Sequence, residues 1–260
     1  MATADAIPWY HTIELPGGVV TPGRWDTRAS AAKLPIPSAL AGARCLDIGT
    51  WDGFWAFEME RRGADEVVAI DLQDMSQWDW PGNAPAKVKA EWVAGADDFP
   101  GYRVAHEALG SRVERREMSV YDLDPAAIGL FDFIFMGSLL PHLRDPVRAL
   151  GAVRSVMKDG GTFLSADVFS ISMTLLHPFR PAANLHGDRN PAWWTPNIQC
   201  RKRWVKSAGF EIEKVGAPYF VARGVGAPRP RRQLRARVMA HLGLHHLWIL
   251  ARATAQESTA

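Results

Sequence analysis

The chain has 260 residues, 47% of them hydrophobic and 22% charged, which is enough for one sizeable α/β core with insertions and too few for two full domains. A formal net charge of +2 gives no overall pull toward nucleic acid or an anionic membrane, and two cysteines, Cys45 and Cys200, exclude a disulfide framework. No basic segment followed by an apolar stretch opens the chain, and no window approaches the roughly 18 apolar residues of a membrane span, so a cytoplasmic setting without membrane contact is expected.

From Ala43 onward, short apolar runs alternate with helical periodicity, the pattern of a parallel sheet flanked by helices. Arg44–Ile48 reads as the first strand, 53–62 as a helix closed by Gly63, and Glu66–Asp71 as a second strand ending in a carboxylate. A helix over 99–109 and strands over 113–118 and 131–136 follow. Asp145 before Pro146 predicts a helix start, with Val147, Leu150, Val153 and Met157 as its apolar stripe and Gly160-Gly161 as its end. The fifth strand is expected over 162–168. Residues 169–197 contain Pro178, Pro181, Pro191 and Pro196 and show little periodicity, which predicts a long loop of the kind that forms lids. A helix over 199–208 capped by Gly209, a sixth strand Phe210–Val215, another insertion and a last strand over 246–251 complete the reading.

The densest signal is Leu46-Asp47-Ile48-Gly49-Thr50-Trp51-Asp52-Gly53-Phe54, followed by Asp71 at 18 residues beyond Gly53. Strand, tight turn, helix and a second strand ending in an acid hold an adenosine-containing ligand: glycines let the backbone turn and the ligand approach, and the acid meets ribose hydroxyls. The turn lacks the middle glycine of G-x-G-x-x-G, which disfavours a dinucleotide. Asp47, two residues before the first glycine, points instead to a ligand with a cationic end.

These residues resemble the first motif of class I S-adenosylmethionine-dependent methyltransferases, with Trp51 standing where most of the class has glycine. Phe131-Asp132, Asp145-Pro146 and Gly160-Gly161 resemble later motifs of that class, in order. The resemblance implies a Rossmann-like, seven-stranded, mostly parallel sheet with helices on both faces and an antiparallel last strand. It further implies an N-terminal cap over 1–42 and a methyltransferase domain over 43–260, with insertions at about 169–198, a lid after the fifth strand, and 217–244. The cofactor it implies is S-adenosyl-L-methionine. Asp47, Gly49 and Gly53 would frame the methionine end together with Thr50 and Trp51; Asp71 and Leu72 would meet the ribose; Ser119 and Val120 would flank adenine; Met136 and Gly137 would pass beneath the sulfonium. For Met136, core packing is an equal alternative. Trp9-Tyr10-His11 ahead of Pro22-Gly23-Arg24-Trp25-Asp26 is similar to a group that includes relatives of the tRNA wobble-uridine carboxymethyltransferase. That enzyme's carboxylated cofactor is not expected, because no counterpart of its longer N-terminal region or of its dedicated basic residues is seen before Trp9.

Methyl transfer to a hydroxyl or protonated amine needs a proton acceptor, and histidine suits it. His142, beyond the C-terminal end of the fourth strand, is the first candidate, and His11 is the second. Tyr10 and Trp25 from the N-terminal segment are expected acceptor contacts, with Trp193 and Trp194 as a rigid aromatic lid, or else packed on the sheet. His177 and His186, in the long insertion, either face substrate or, as loop histidines more often are, stay solvated, and His245-His246 offers no ligand set, so no metal is expected. The arginine-rich segment 223–237, with Arg229, Arg231, Arg232, Arg235 and Arg237, lacks interleaved aromatics and reads first as a solvated helix face. A small-molecule acceptor is therefore the leading expectation and a tRNA substrate the second. A third reading, a protein that keeps the cofactor fold without methylating, is motivated by Trp51.

Overall fold

A computed structural model describes residues 7–82, 99–186, 192–227 and 244–254. In chain order the strands are β1 (Glu14–Leu15), β2 (Val19–Val20), β3 (Trp25–Asp26), β4 (Arg44–Ile48), β5 (Glu66–Asp71), β6 (Glu114–Glu117), β7 (Phe131–Gly137), β8 (Met157–Val168), β9 (Ala183–Leu185), β10 (Trp194–Pro196), β11 (Phe210–Val215), β12 (Tyr219–Arg223) and β13 (Leu244–Ala253). The helices are α1 (Arg28–Ala31), α2 (Phe54–Arg61), α3 (Pro100–Leu109), α4 (Pro125–Ile128), α5 (Pro146–Ser155), α6 (Ile171–Leu176) and α7 (Ile198–Ser207).

The main sheet runs β3-β12-β13-β8-β7-β4-β5-β6, with β11 also paired to β13. Strands β4 to β8 are parallel to their neighbours, and β13 runs antiparallel to β8. The alternation of side chains along each strand sorts the core into two layers. Cys45, Val67, Ala69, Phe133, Phe135 and Leu164 pack with α2, α3 and the N-terminal segment. Leu46, Ile48, Val68, Ile70, Ile134, Met136 and Phe163 pack on the other face with α5 and α7.

The sheet has nine strands rather than the expected seven. Strand β11 leaves the edge of β13 after Val215, where Gly216 lies so close to the Trp248 ring that a Cβ would stand 2.2 Å from it. Strand β12 then takes up the rest of that edge, pairing Tyr219 with His246, and β3 from the N-terminal segment pairs with β12. Helix α5 stops at Ser155, and Met157 begins β8 instead of closing the helical stripe. The pair Gly160-Gly161 therefore does not end the helix: Gly160 takes φ +73° inside β8, where the pairing with β7 slips between Phe131 and Phe133. Residues 169–197 also hold more structure than a plain loop, namely α6 and the β9–β10 hairpin. Fully buried Asn197 ties this segment together, its Oδ1 accepting from Cys200 N at 2.8 Å and Ala182 N at 3.1 Å while its Nδ2 donates to the carbonyls of His177 and Arg180.

Candidate active site

A cavity of about 520 Å³ opens at the C-terminal ends of β4, β5 and β7, where open α/β sheets receive their ligands. Of the residues expected at a site, Tyr10, His11, Trp25, Gly49, Trp51, Asp71, Leu72, Ser119, Val120, Gly137 and His142 line it. Asp47, Thr50 and Gly53 do not line it, and the first two are only 1% exposed. Met136 is wholly buried in the core layer on the α5 side. Trp193 and Trp194 do not line the cavity.

One half of the cavity is built from the turn after β4. Gly49 takes φ +77° and Gly53 φ +88°, conformations that strain any residue with a Cβ. Trp51 also sits in left-handed backbone, φ +49°, which explains why glycine is common there; the cost for a bulky residue is on the order of 1–3 kcal/mol. Its amide is held in place by Asp71, whose Oδ2 accepts from Trp51 N at 2.8 Å while Oδ1 accepts from Leu72 N at 2.8 Å. The Trp51 ring lies in an aromatic cluster, 4.9 Å from Tyr10 and 5.5 Å from Trp78 between ring centres. Burial raises the Asp71 carboxyl above its ordinary range. Burial also pushes Asp47 up to about 7, and its Oδ2 is buried without a hydrogen-bond partner. An orphaned carboxylate oxygen under a glycine turn is a fitting partner for a cationic group. At the far side Ser119 Oγ accepts from Tyr121 N, capping a 3-10 turn that begins at Val120. The first amide of such a turn has no partner within it.

The other half is closed by the N-terminal segment, and a carboxylate from the glycine turn fixes it there. Asp52, 1% exposed, accepts from Tyr10 N at 2.9 Å and His11 N at 2.7 Å through Oδ2, and its Oδ1 meets His11 Nδ1. A carboxylate at Nδ1 selects the tautomer protonated there and leaves Nε2 as the acceptor. Burial raises the Tyr10 hydroxyl to about 12, so it stays protonated and can donate. Sequence reasoning passed over Asp52 as a turn residue, because its partner lies 41 positions away.

The opposite wall carries a second polar pair that sequence reasoning missed. Ser138, just past β7, stands at φ +55° with its amide on the Ala166 carbonyl, and its Oγ lies 3.0 Å from Nε2 of His246, itself 2% exposed. His246, read earlier as one of an uninformative pair on a strand, lines the cavity together with Tyr219 and Val221.

Trp78, Asp79 and Trp80 form a further wall that carried no sequence signal. The two indoles stack at 5.6 Å. Asp79 binds this wall to its neighbours: Oδ2 accepts from Tyr121 OH at 2.9 Å and Arg144 N at 2.5 Å, and its carbonyl accepts from Trp193 Nε1. The Arg144 guanidinium lies 5.0 Å over the Trp193 ring, and Trp194 Nε1 donates to the Arg144 carbonyl at 3.1 Å. The tryptophan pair, expected either as a lid or packed on the sheet, contacts the wall through the carbonyls of Asp79 and Arg144. His186 bonds Thr195 Oγ1 across the hairpin at 2.7 Å. The arginines at 229, 231, 232, 235 and 237 lie outside the described residues.

Below the site, Asp167 and Arg201 are buried to 0% and 1% exposure. Arg201 Nη2 donates to Ser165 Oγ at 2.7 Å and Nη1 to the Leu247 carbonyl at 2.8 Å, while Asp167 Oδ1 accepts from Leu140 N at 3.2 Å, at the turn leading to His142. Among the described residues no group of three or more His, Cys, Asp or Glu could hold a metal ion, and no helix is long and apolar enough to cross a membrane.

A mostly parallel sheet with this order, a glycine turn after the central strand and a carboxylate ending the next define the fold of class I S-adenosylmethionine-dependent methyltransferases. A family model described as a methyltransferase domain matches residues 26–215, and the chain belongs to that family. S-adenosylmethionine is the cofactor of this class, and Asp47, the glycine turn and Asp71 fit it. The chain is 35% identical over 127 residues to a ubiquinone biosynthesis O-methyltransferase of Xanthomonas euvesicatoria, covering 48% of this chain and 44% of that protein. It is 25% identical over 195 residues to a tRNA U34 carboxymethyltransferase of Pseudomonas paraeruginosa, covering 74% of this chain and 52% of that protein. The chain thus spans about half the length of these relatives. In fold it is similar to a 1,6-didemethyltoxoflavin-N1-methyltransferase of Burkholderia thailandensis, solved with 1,6-didemethyltoxoflavin and S-adenosylhomocysteine, at a TM-score of 0.52 and 18% identity, covering 83% of this chain and 72% of that one.

Proposed function

We propose that the protein transfers a methyl group from S-adenosylmethionine to a nucleophilic heteroatom of a small planar acceptor, with His11 as the proton acceptor. The observation that carries this reading is Asp52: the turn that builds the cofactor half of the cavity also fixes the backbone and imidazole of His11 in the other half. S-adenosylmethionine, when bound, supplies an electrophilic methyl on a cationic sulfonium.

The residues then have distinct tasks. Asp47 and the turn at Gly49 would hold the ammonium end, Asp71 the ribose, and Ser119 with the Val120 amide the adenine. Trp25, Trp51 and Tyr10 supply flat apolar surface that excludes water and orients a planar ring. Orientation of this kind contributes on the order of 7 kcal/mol in well-aligned reactions. His11 Nε2 takes the proton as the acceptor atom attacks, and Asp52 balances the imidazolium that forms. His11 takes precedence over His142 because Asp52, part of the glycine turn, holds both its backbone amide and its Nδ1.

The test is transfer of labelled methyl from S-adenosylmethionine to a panel of phenols and heteroaromatic amines, followed over pH. His11→Ala is expected to lose about a hundredfold or more in rate on the hydroxyl acceptors; full retention rejects the assignment, and a loss confined to His142→Ala moves the role there. The match to the tRNA-modifying relative over 74% of this chain favours a second reading, methylation of tRNA. Binding of tRNA that weakens steeply with salt, and weakens further when Arg231, Arg232 and Arg235 are changed together, would support it. Absent or salt-insensitive binding would remove it.

A further inference from the structure

We infer that Ser138 and His246 form a polar anchor for a hydroxyl group on the planar acceptor, an inference that rests on the methyltransferase reading above. Three observations converge. First, the pair lies on the cavity wall with Trp55, Phe135 and Val221 among the lining residues, so an acceptor ring seated there has both apolar surface and a polar point to meet. Second, the pair is built: His246 is 2% exposed on β13, and its Nε2 stands 3.0 Å from Ser138 Oγ. A serine hydroxyl has one proton and two lone pairs, so its bond to one imidazole nitrogen leaves capacity for a ligand oxygen. Third, Ser138 adopts φ +55°, a conformation that glycine takes freely and serine takes at a cost. Backbone outliers of this kind cluster at active sites and ligand clamps.

The place of Ser138 in the fold gives the anchor its consequence. It follows Gly137 at the tip of β7, and Leu139 next to it packs over Gly49, with side-chain atoms 3.3 Å from where a Cβ on that glycine would lie. The serine thus stands at the seam between the half built for the cofactor and the half closed by Tyr10 and His11. A ring held there by one hydroxyl is fixed in rotation, and that selects which of its substituents meets the methyl group.

Ligand-observed NMR titration of the full chain saturated with S-adenosylhomocysteine tests this, using phenol and its near-isostere toluene as probes. The wild type is expected to bind phenol about tenfold more tightly than toluene, the range of one well-made neutral hydrogen bond. Ser138→Gly removes the hydroxyl and relieves the left-handed backbone, so it should melt at a higher temperature than the wild type while losing the phenol preference. His246→Phe should lose the same preference, and its melting curve reports whether the fold survives. Equal affinity of the wild type for the two probes, failure of phenol to bind, or a preference that persists in Ser138→Gly overturns the anchor. Calorimetry with S-adenosylhomocysteine alone, run first, shows separately whether the underlying cofactor reading fails.

Discussion

Removing the Asp52 carboxylate should loosen the N-terminal segment and the base together. Asp52 accepts three hydrogen bonds, from Tyr10 N, His11 N and His11 Nδ1, at a site only 1% exposed. Hydrogen bonds to a charged group contribute about 1.5–3 kcal/mol each, and taking the low end because the three share one acceptor gives about 4.5 kcal/mol for Asp52→Ala. For a chain of this size about 1 kcal/mol moves the melting temperature by about 2–4 °C, so a fall of about 10 °C is expected. Asp52→Asn separates the two roles. Its amide oxygen can still accept from both backbone amides, but its NH₂ facing Nδ1 selects the opposite imidazole tautomer. That variant should melt within about 5 °C of the wild type yet transfer methyl as poorly as His11→Ala. Differential scanning calorimetry and the labelled-methyl assay decide. A melting temperature for Asp52→Ala within about 2 °C of the wild type, or full activity in Asp52→Asn, would refute the reasoning.

Three further outcomes follow from the same structure. Because burial raises Asp47 to about 7, its native carboxyl stays protonated where the unfolded one has ionised, so its contribution destabilises progressively between about pH 4 and pH 7. Asp47→Asn should therefore gain stability relative to the wild type across that window, measured by denaturant unfolding at several pH values, and S-adenosylhomocysteine affinity should rise through about pH 7 only in the wild type. Arg201→Met strips the buried Asp167 carboxyl of its guanidinium partner and should cost about 3–5 kcal/mol in the same unfolding measurement, with Asp167→Leu added to it recovering part. Gly53→Ala places a Cβ 2.5 Å from the Phe57 ring at φ +88°, and a loss of about 3 kcal/mol is expected by thermal melting; an unchanged melting temperature would show that the turn can rearrange.

Much of the sheet was legible because its central strands are short apolar runs with turn residues on both sides: Arg44–Ile48 and Glu66–Asp71 fall where the pattern put them, as does Phe210–Val215 at the edge. The Gly160-Gly161 pair misled because the same residues that end helices also make bulges, and only the partner strand distinguishes the two. In the site, the turn from Gly49 to Gly53 and the acid at Asp71 were readable because local spacing alone defines them. Asp52, His246 and the Trp78–Trp80 wall were not, since each acts through a partner far away in sequence: Asp52 through His11, His246 through Ser138 at 108 positions, and Asp79 through Trp193 at 114. No periodicity encodes such pairings.

The most direct test of the account is calorimetric titration of S-adenosylhomocysteine into the wild type and Asp71→Ala. Asp71 ends β5 at the cavity wall and also holds the Trp51 amide, so the wild type should bind and the variant should bind at least about tenfold more weakly. No binding by the wild type, or equal binding by the two, would contradict it.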